Sequence, residues 1–247
     1  MKNKILASLS SKIYHFVYSF FIDVRNRRFK NMSTKKMFRE VYHTNFWGDE
    51  SRAKGEYYSG PGSHDDRVVN DYVTCVKEFI LQNPNLARAV DIGCGDFNIG
   101  KRVCPLFKSY IGVDIVDELI DFNSKKFDIK NVKFQVLDAI NEEPPKSDVI
   151  FVREVLQHLK NSEIKSFLSN IKKNTTCLIV TEALPGLMHE FEHNLDRGVG
   201  PNTRFSRNSG VVLTSAPFLL DFERSQCLNI TKVDEGILRT DVYFFRR

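Results

Sequence analysis

Residues 89–100 read A-V-D-I-G-C-G-D-F-N-I-G. The apolar run closes on an acid, Asp91, and opens into a loop carrying Gly93, Gly95 and Gly100. A strand that runs into closely spaced glycines predicts a sharp backbone turn that lets a ligand come close. A second apolar run, S-Y-I-G-V-D-I (109–115), places Asp114 at its end, 23 residues after Asp91. That carboxylate stands where two ribose hydroxyls can donate to it.

Working outward, helical and strand patterns alternate from residue 65 onward. A helix is predicted over 65–80, stopping before Asn83-Pro84, and a strand over 87–92. The pattern predicts a helix over 98–107, a strand over 109–115 and a helix over 116–126. Strands follow over 133–138 and 148–152, then a helix R-E-V-L-Q-H-L over 153–159 and another over 162–171. A fifth strand covers 176–182, and two late candidates cover 228–234 and 239–245. Such alternation argues for an α/β fold, a mostly parallel sheet with helices on both faces. The near-continuous apolar character of the strands fits burial on both sides. Residues 1–64 precede this pattern as a helical, glycine-rich cap, so the division expected is 1–64 and 65–247. One large domain with a small extension is what 247 residues imply.

Two cofactors meet the conditions so far, a nicotinamide dinucleotide and S-adenosylmethionine. Three details separate them. In G-C-G-D-F-N-I-G the third glycine comes two residues late for the dinucleotide fingerprint G-x-G-x-x-G. Asp96, expected to open the next helix, would repel a pyrophosphate at that N-terminus. Asp91, just before the loop, can hold the ammonium of a methionine moiety. V-D-I-G-C-G resembles motif I of the class I S-adenosylmethionine-dependent methyltransferases, Y-I-G-V-D-I their acidic second motif and V-L-D-A-I their third. D-V-I-F-V-R-E-V-L-Q-H-L is similar to their fourth-strand region. The resemblance covers about 65–247. It implies a Rossmann-like seven-stranded sheet whose last strand is antiparallel. It also implies S-adenosylmethionine as cofactor, held by Asp91, Gly93, Cys94, Gly95, Asp114, Ile115, Asp138 and Ala139, with Asp138 facing the adenine amino group. Trp47 and Arg153 complete the expected cofactor set.

The acceptor is narrowed mainly by absences. The Asn/Asp-Pro-Pro-aromatic motif of nucleic-acid and glutamine N-methyltransferases is replaced after strand four by Arg153-Glu154-Val155, and Cys104-Pro105 is in the wrong order for a cytosine C5 enzyme. No nucleic-acid partner is therefore expected. The aromatic and turn-rich segment 44–63, ending S-G-P-G-S, is expected to close Trp47, Tyr57 and Tyr58 over the cofactor, since aromatic faces suit a sulfonium. The polar segment 193–205 is expected near the acceptor. Segment 47–63, R-E-V-L-Q-H-L and the later A-P-F resemble a poorly characterised bacterial branch, which implies a small-molecule or glycan acceptor and methyl transfer to oxygen. Deprotonating a hydroxyl calls for a base. His158 is the first candidate, as base or orienting group, with packing as the alternative; Arg153, for an acidic acceptor or a pair with Glu154, Glu182 and His193 follow. The alternatives are a nicotinamide-dependent oxidoreductase and a non-catalytic S-adenosylmethionine-binding protein.

H-E-F-E-H (189–193) satisfies the H-E-x-x-H zinc pattern, but Pro185-Gly186 upstream, Gly198 and Gly200 downstream and the lack of a third ligand favour an ordinary loop, so no metal is expected. Five scattered cysteines without metal spacing fit reduced thiols and a cytoplasmic setting. A net charge of +5 permits an anionic partner without demanding one. Near the N-terminus, Leu6, Leu9, Ile13, Phe16, Val17, Phe20 and Val24 recur at helical spacing before the basic Arg25, Arg27, Arg28 and Lys30. Two readings stand for residues 5–30, an amphipathic helix packed on the domain or a peripheral contact with an anionic membrane on the cytoplasmic face. No run is long and apolar enough for a membrane span, and no signal cleavage site is evident. The oligomeric state is not indicated.

Overall fold

The structure, a computed structural model, describes residues 27–29, 31–48, 56–186, 190–234 and 236–246. The amphipathic stretch expected before Arg25 lies outside them, as does His189 of the H-E-x-x-H pattern. Among the described residues no helix is long and apolar enough to cross a membrane.

The core is a seven-stranded sheet. Strands β1 (Arg88–Ile92), β2 (Ser109–Asp114), β3 (Val132–Val136), β4 (Val149–Arg153) and β5 (Cys177–Leu184) are parallel. A two-residue parallel pair, β6 (Glu192–His193) and β7 (Ser209–Gly210), lies apart from them. Strands β8 (Arg224–Val233) and β9 (Gly236–Phe244) finish the main sheet, whose order is β3-β2-β1-β4-β5-β9-β8. The last strand, β9, is antiparallel to β5 and β8 on either side. The expected Rossmann-like seven-stranded sheet, mostly parallel with its last strand antiparallel, is what forms.

Alternation along the strands divides the core. Val90, Ile92, Ile150, Val152, Leu178 and Val180 pack with Ile164, Phe167, Leu168 and Ile171 of helix α5 (Asn161–Ile171) on one face. Ala89, Tyr110, Val149, Phe151 and Ile179 pack on the other with Tyr72, Val76, Phe79 and Ile80 of helix α2 (Asp66–Gln82). α2 forms where its apolar residues recur every three or four positions, and the Asp65 side chain caps it by accepting the Arg67 N–H at 3.0 Å. Helix α1 (Thr34–His43) is capped by Ser33, whose hydroxyl accepts the Lys36 N–H. It buries Met37 and Val41 with Phe29 and Val199. Helix α4 (Asp117–Lys126) follows β2 with acids in its first turn and lysines in its last, each complementing the helix dipole.

Two predicted helices form differently. Over 98–107 only α3 (Gly100–Val103) is α-helical, and Pro105 sits in the 3₁₀ turn Cys104–Leu106 that ends it. Over 153–159 the chain leaves β4 with Glu154 at φ 55°, then makes a single 3₁₀ turn, Leu156–His158. The strand order reverses direction between β1 and β4, so a crevice opens at their carboxyl ends.

Candidate active site

A cavity of about 350 Å³ occupies that crevice. Its floor is the loop after β1. Gly93 and Gly95 have φ of 75° and 56°, and a Cβ on them would lie 2.4 Å from Val155 Cγ2 and 2.2 Å from Ser59 Oγ. Glycine is required there by both the left-handed backbone and the close approach of neighbouring segments.

The loop's amides are already used within the protein. Gly93 and Cys94 N–H donate to the Val113 carbonyl, and Gly95 N–H donates to Asp114 Oδ2 at 3.2 Å. Asp96 N–H donates to Ser59 Oγ at 2.8 Å, and Asn98 N–H to Asp96 Oδ1 at 3.0 Å. A pyrophosphate needs such donors free, together with a helix N-terminus. The helix here begins only at Gly100, so Asp96 does not open it as expected. Instead Asp96 Oδ2 accepts the Ser59 N–H at 2.9 Å and meets His64 Nε2 at 2.6 Å, tying the cap to the loop.

Two buried carboxylates face this floor. Asp91 accepts a hydrogen bond from the Tyr110 hydroxyl at 2.9 Å. Burial raises its pKa to about 6, against the pull of that hydroxyl, with the Asp114 charge adding to the rise. Asp114 accepts the Gly95 and Val116 amides, and burial likewise raises it to about 6. Opposite them, the side chain of Arg153 is 7% exposed. Its Nη1 donates to Glu154 Oε2 at 2.7 Å and its Nη2 to the Gly62 carbonyl at 2.7 Å, while Nε has no partner.

The far wall comes from the turn after β4 and from two segments distant in sequence. Trp47 Nε1 donates to the Pro201 carbonyl at 2.8 Å, joining the cap to the 193–205 segment. The buried His158 lies between the Phe38 and Trp47 rings, at 5.8 and 5.4 Å. Its Nδ1 is 3.1 Å from the Gly200 carbonyl, so Nδ1 carries the proton. Burial, reinforced by Arg197, lowers its pKa to about 3 despite the Gly200 and Asn202 backbone, so the ring is neutral near pH 7.

All ten residues expected around the cofactor line this one cavity: Trp47, Asp91, Gly93, Cys94, Gly95, Asp114, Ile115, Asp138, Ala139 and Arg153. His158 lines it as well. Two candidates do not. Glu182 is buried behind the turn after β4, where it accepts the Leu156 and Gln157 amides, each at 2.9 Å. His193 sits on the exposed β6 with Nδ1 2.7 Å from Ser215 Oγ. Among the described residues no cluster of three His, Cys, Asp or Glu is assembled. Phe38, Tyr42, Ser59, Gln157 and Thr203 also line the cavity. Ser59, Gln157 and Thr203 stand in segments the sequence singles out; Phe38 and Tyr42 carry no local motif, because only tertiary packing brings them there.

A family model described as a methyltransferase domain matches residues 90–177, which run from the floor through β4 to β5. Residues 90–177 thus match a methyltransferase domain, and the whole sheet has the fold of solved methyltransferases. Its fold is shared by magnesium protoporphyrin IX methyltransferase from Synechocystis PCC 6803 with bound SAH, at 16% identity over 87% of this chain and 100% of that one, TM-score 0.57. The N-methyltransferase NodS from Bradyrhizobium japonicum WM9 in complex with SAH is similar at 14% identity, over 85% and 100%, TM-score 0.57. The N-terminal domain of EvdMO1, in the presence of SAH and D-fucose, is similar at 14% identity, over 87% and 98%, TM-score 0.54. No curated protein matches in sequence. S-adenosylmethionine fits the residues present: two buried acids, glycine-loop amides already bonded within the protein, and a guanidinium Nε without a partner on the opposite wall.

Proposed function

We propose that the chain transfers the methyl group of S-adenosylmethionine to an oxygen of a small, polar, uncharged acceptor, a sugar hydroxyl fitting best. The observation that carries the cofactor half is the glycine loop, whose amides are spent internally while Asp91 and Asp114 remain buried in the cavity wall. This favours a phosphate-free cationic nucleoside over a dinucleotide. Asp91 takes the methionine ammonium and Asp114 the ribose hydroxyls. Ile115 and Ala139 flank the adenine, with Asp138 at its amino group, and the Arg153 Nε edge takes the methionine carboxylate. When bound, the cofactor supplies an electrophilic methyl on a sulfonium sulfur. Tyr42 and Trp47, in edge contact at 5.7 Å, screen that centre from water.

The acceptor half is supported by charge. Among the described residues Arg153 is the one Lys or Arg lining the cavity, and it is committed to Glu154 and Gly62. His158 is neutral. Glu154 is paired with Arg153, which leaves aromatic faces with Thr34, Gln157, Asn202 and Thr203, a set suited to an uncharged hydroxylated ring rather than a phosphate. A ring with a pKa of about 3 is a poor proton acceptor, so His158 orients the acceptor and does not serve as a strong base; the hydroxyl proton leaves to solvent as the methyl transfers. The D-fucose named with the EvdMO1 structure agrees with a sugar here.

Calorimetry with S-adenosylmethionine, S-adenosylhomocysteine and NAD(H), followed by a panel of sugars with S-adenosylhomocysteine release as readout, tests the proposal. Binding of the two sulfur nucleosides but not NAD(H), with turnover on neutral sugars, is expected. NAD(H) binding alone would overturn it, and S-adenosylhomocysteine binding without turnover on any acceptor would make the protein a non-catalytic binder.

A further inference from the structure

Every residue of β5 is buried, and seven of the eight are apolar or Thr; the other is Glu182, 3% exposed. A carboxylate in such a strand is costly unless its lone pairs are used. Both of its oxygens are. Oε1 accepts the Leu156 amide and Oε2 the Gln157 amide, each at 2.9 Å. Leu156 and Gln157 are themselves buried, so without Glu182 two successive N–H groups lose their acceptors.

The chain needs this capture because of how it leaves β4. The Glu154 amide makes the last strand bond, to the Thr181 carbonyl at 2.7 Å. Glu154 then takes φ 55°, a left-handed conformation that is costly for a residue other than glycine. The side chain one residue past Thr181 holds the next amides, and the resulting turn puts Val155 against Gly93 and brings Gln157 and His158 to the cavity. Gln157 Nε2 lies 3.4 Å from the Glu154 carbonyl, which sets the carboxamide's orientation, and its Oε1 has no partner.

We propose that Glu182 is a positioning residue, clamping the turn after β4 so that Gln157 and His158 meet the methyl acceptor. The role in acceptor turnover rests on the methyltransferase reading; the clamp itself does not. Burial raises the Glu182 pKa to about 8, partly offset by the Leu156 amide, then raised by Glu154 and lowered by the Gln157 amide and Arg204. Arg239 of β9, its register partner, is engaged with Asp241. The clamp is therefore strongest above pH 8, where the carboxylate is ionised.

The test is amide hydrogen exchange at 156–157 in the full chain, with Glu182→Gln and Glu182→Asp beside wild type, and calorimetry with S-adenosylhomocysteine. Above pH 8, where wild-type Glu182 is ionised, protection of these amides in Glu182→Gln should fall by about tenfold or more, the loss of a charge-assisted bond. S-adenosylhomocysteine affinity should stay within about threefold, and kcat on any sugar that wild type methylates should fall by about tenfold or more. Glu182→Asp keeps the charge but lacks the reach for both amides, so one of the two should lose protection. In wild type, protection at 156–157 should rise as pH passes about 8, which needs no variant. Unchanged protection in the variants would overturn the clamp. Failure of every form to bind S-adenosylhomocysteine would remove the methyltransferase reading and leave the exchange result to decide the clamp.

Discussion

The floor and the roof of the cavity are built on different principles. The floor uses residues 91–95, 114–115 and 137–139, each at the end of a parallel strand, where the strand itself fixes position. The roof is assembled from Thr34, Phe38, Tyr42 and Trp47 on one side and Pro201–Thr203 on the other, joined across 154 residues by the Trp47 to Pro201 hydrogen bond. A floor made this way holds a constant ligand; a roof made of one helix face and two loops, outside the sheet, can be altered without disturbing it. The contrast predicts that floor substitutions strike cofactor binding and roof substitutions strike the acceptor.

The largest effect is expected at the floor. Asp114→Asn keeps the shape but removes the charge proposed to receive two ribose hydroxyls, and turns an N–H donor toward either the Gly95 or the Val116 amide. Two weakened charge-assisted bonds correspond to about a 100-fold loss of S-adenosylhomocysteine affinity, measured by calorimetry. A change below threefold would mean that the ribose is held elsewhere, and the division between floor and roof would fail at its firmest point.

At the roof, Trp47→Phe retains an aromatic face but loses the N–H that reaches Pro201. The expected outcome is a rise of about tenfold in KM, or an equal fall in kcat/KM, for the sugar acceptor, with S-adenosylhomocysteine affinity within about threefold. Because Trp47 is the single tryptophan and lines the cavity, its fluorescence in wild type also reports ligand binding there. Equal loss of cofactor and acceptor binding would show that the roof cannot be separated from the floor.

The same division explains what was legible in the sequence. Asp91, Gly93, Gly95 and Asp114 could be placed because strand ends and glycine turns are local and follow spacing rules. The R-E-V-L-Q-H-L stretch has helical spacing, yet its backbone is held by Glu182, 26 residues from Leu156, and local periodicity carries no trace of that clamp. Asp96 was read as opening a helix; its use, binding Ser59 and His64, depends on a segment some 35 residues earlier. Glu182 and His193 have residue types suited to catalysis, but β5 turns one behind the wall and β6 leaves the other at the surface. Trp47 was legible as an aromatic near a turn; its partner Pro201 was not.

The smallest effect concerns protons at the floor. Burial raises both Asp91 and Asp114 to about 6. Raised carboxylate pKa values mean that the ligand-free fold favours the protonated acids. Their contribution to stability is thus fully present below about pH 4 and is lost as pH rises through about 6. A ligand ammonium favours the ionised form of Asp91, so affinity should move the opposite way, weakening by about tenfold for S-adenosylhomocysteine from pH 7 to pH 5 through that one acid. S-adenosylmethionine, with its extra positive charge, should show the steeper slope. Calorimetry across this range, beside thermal unfolding of the ligand-free protein, checks both signs. Affinity that is level from pH 5 to 7 would mean that Asp91 is already ionised without ligand, and that the floor is wetter than its burial implies.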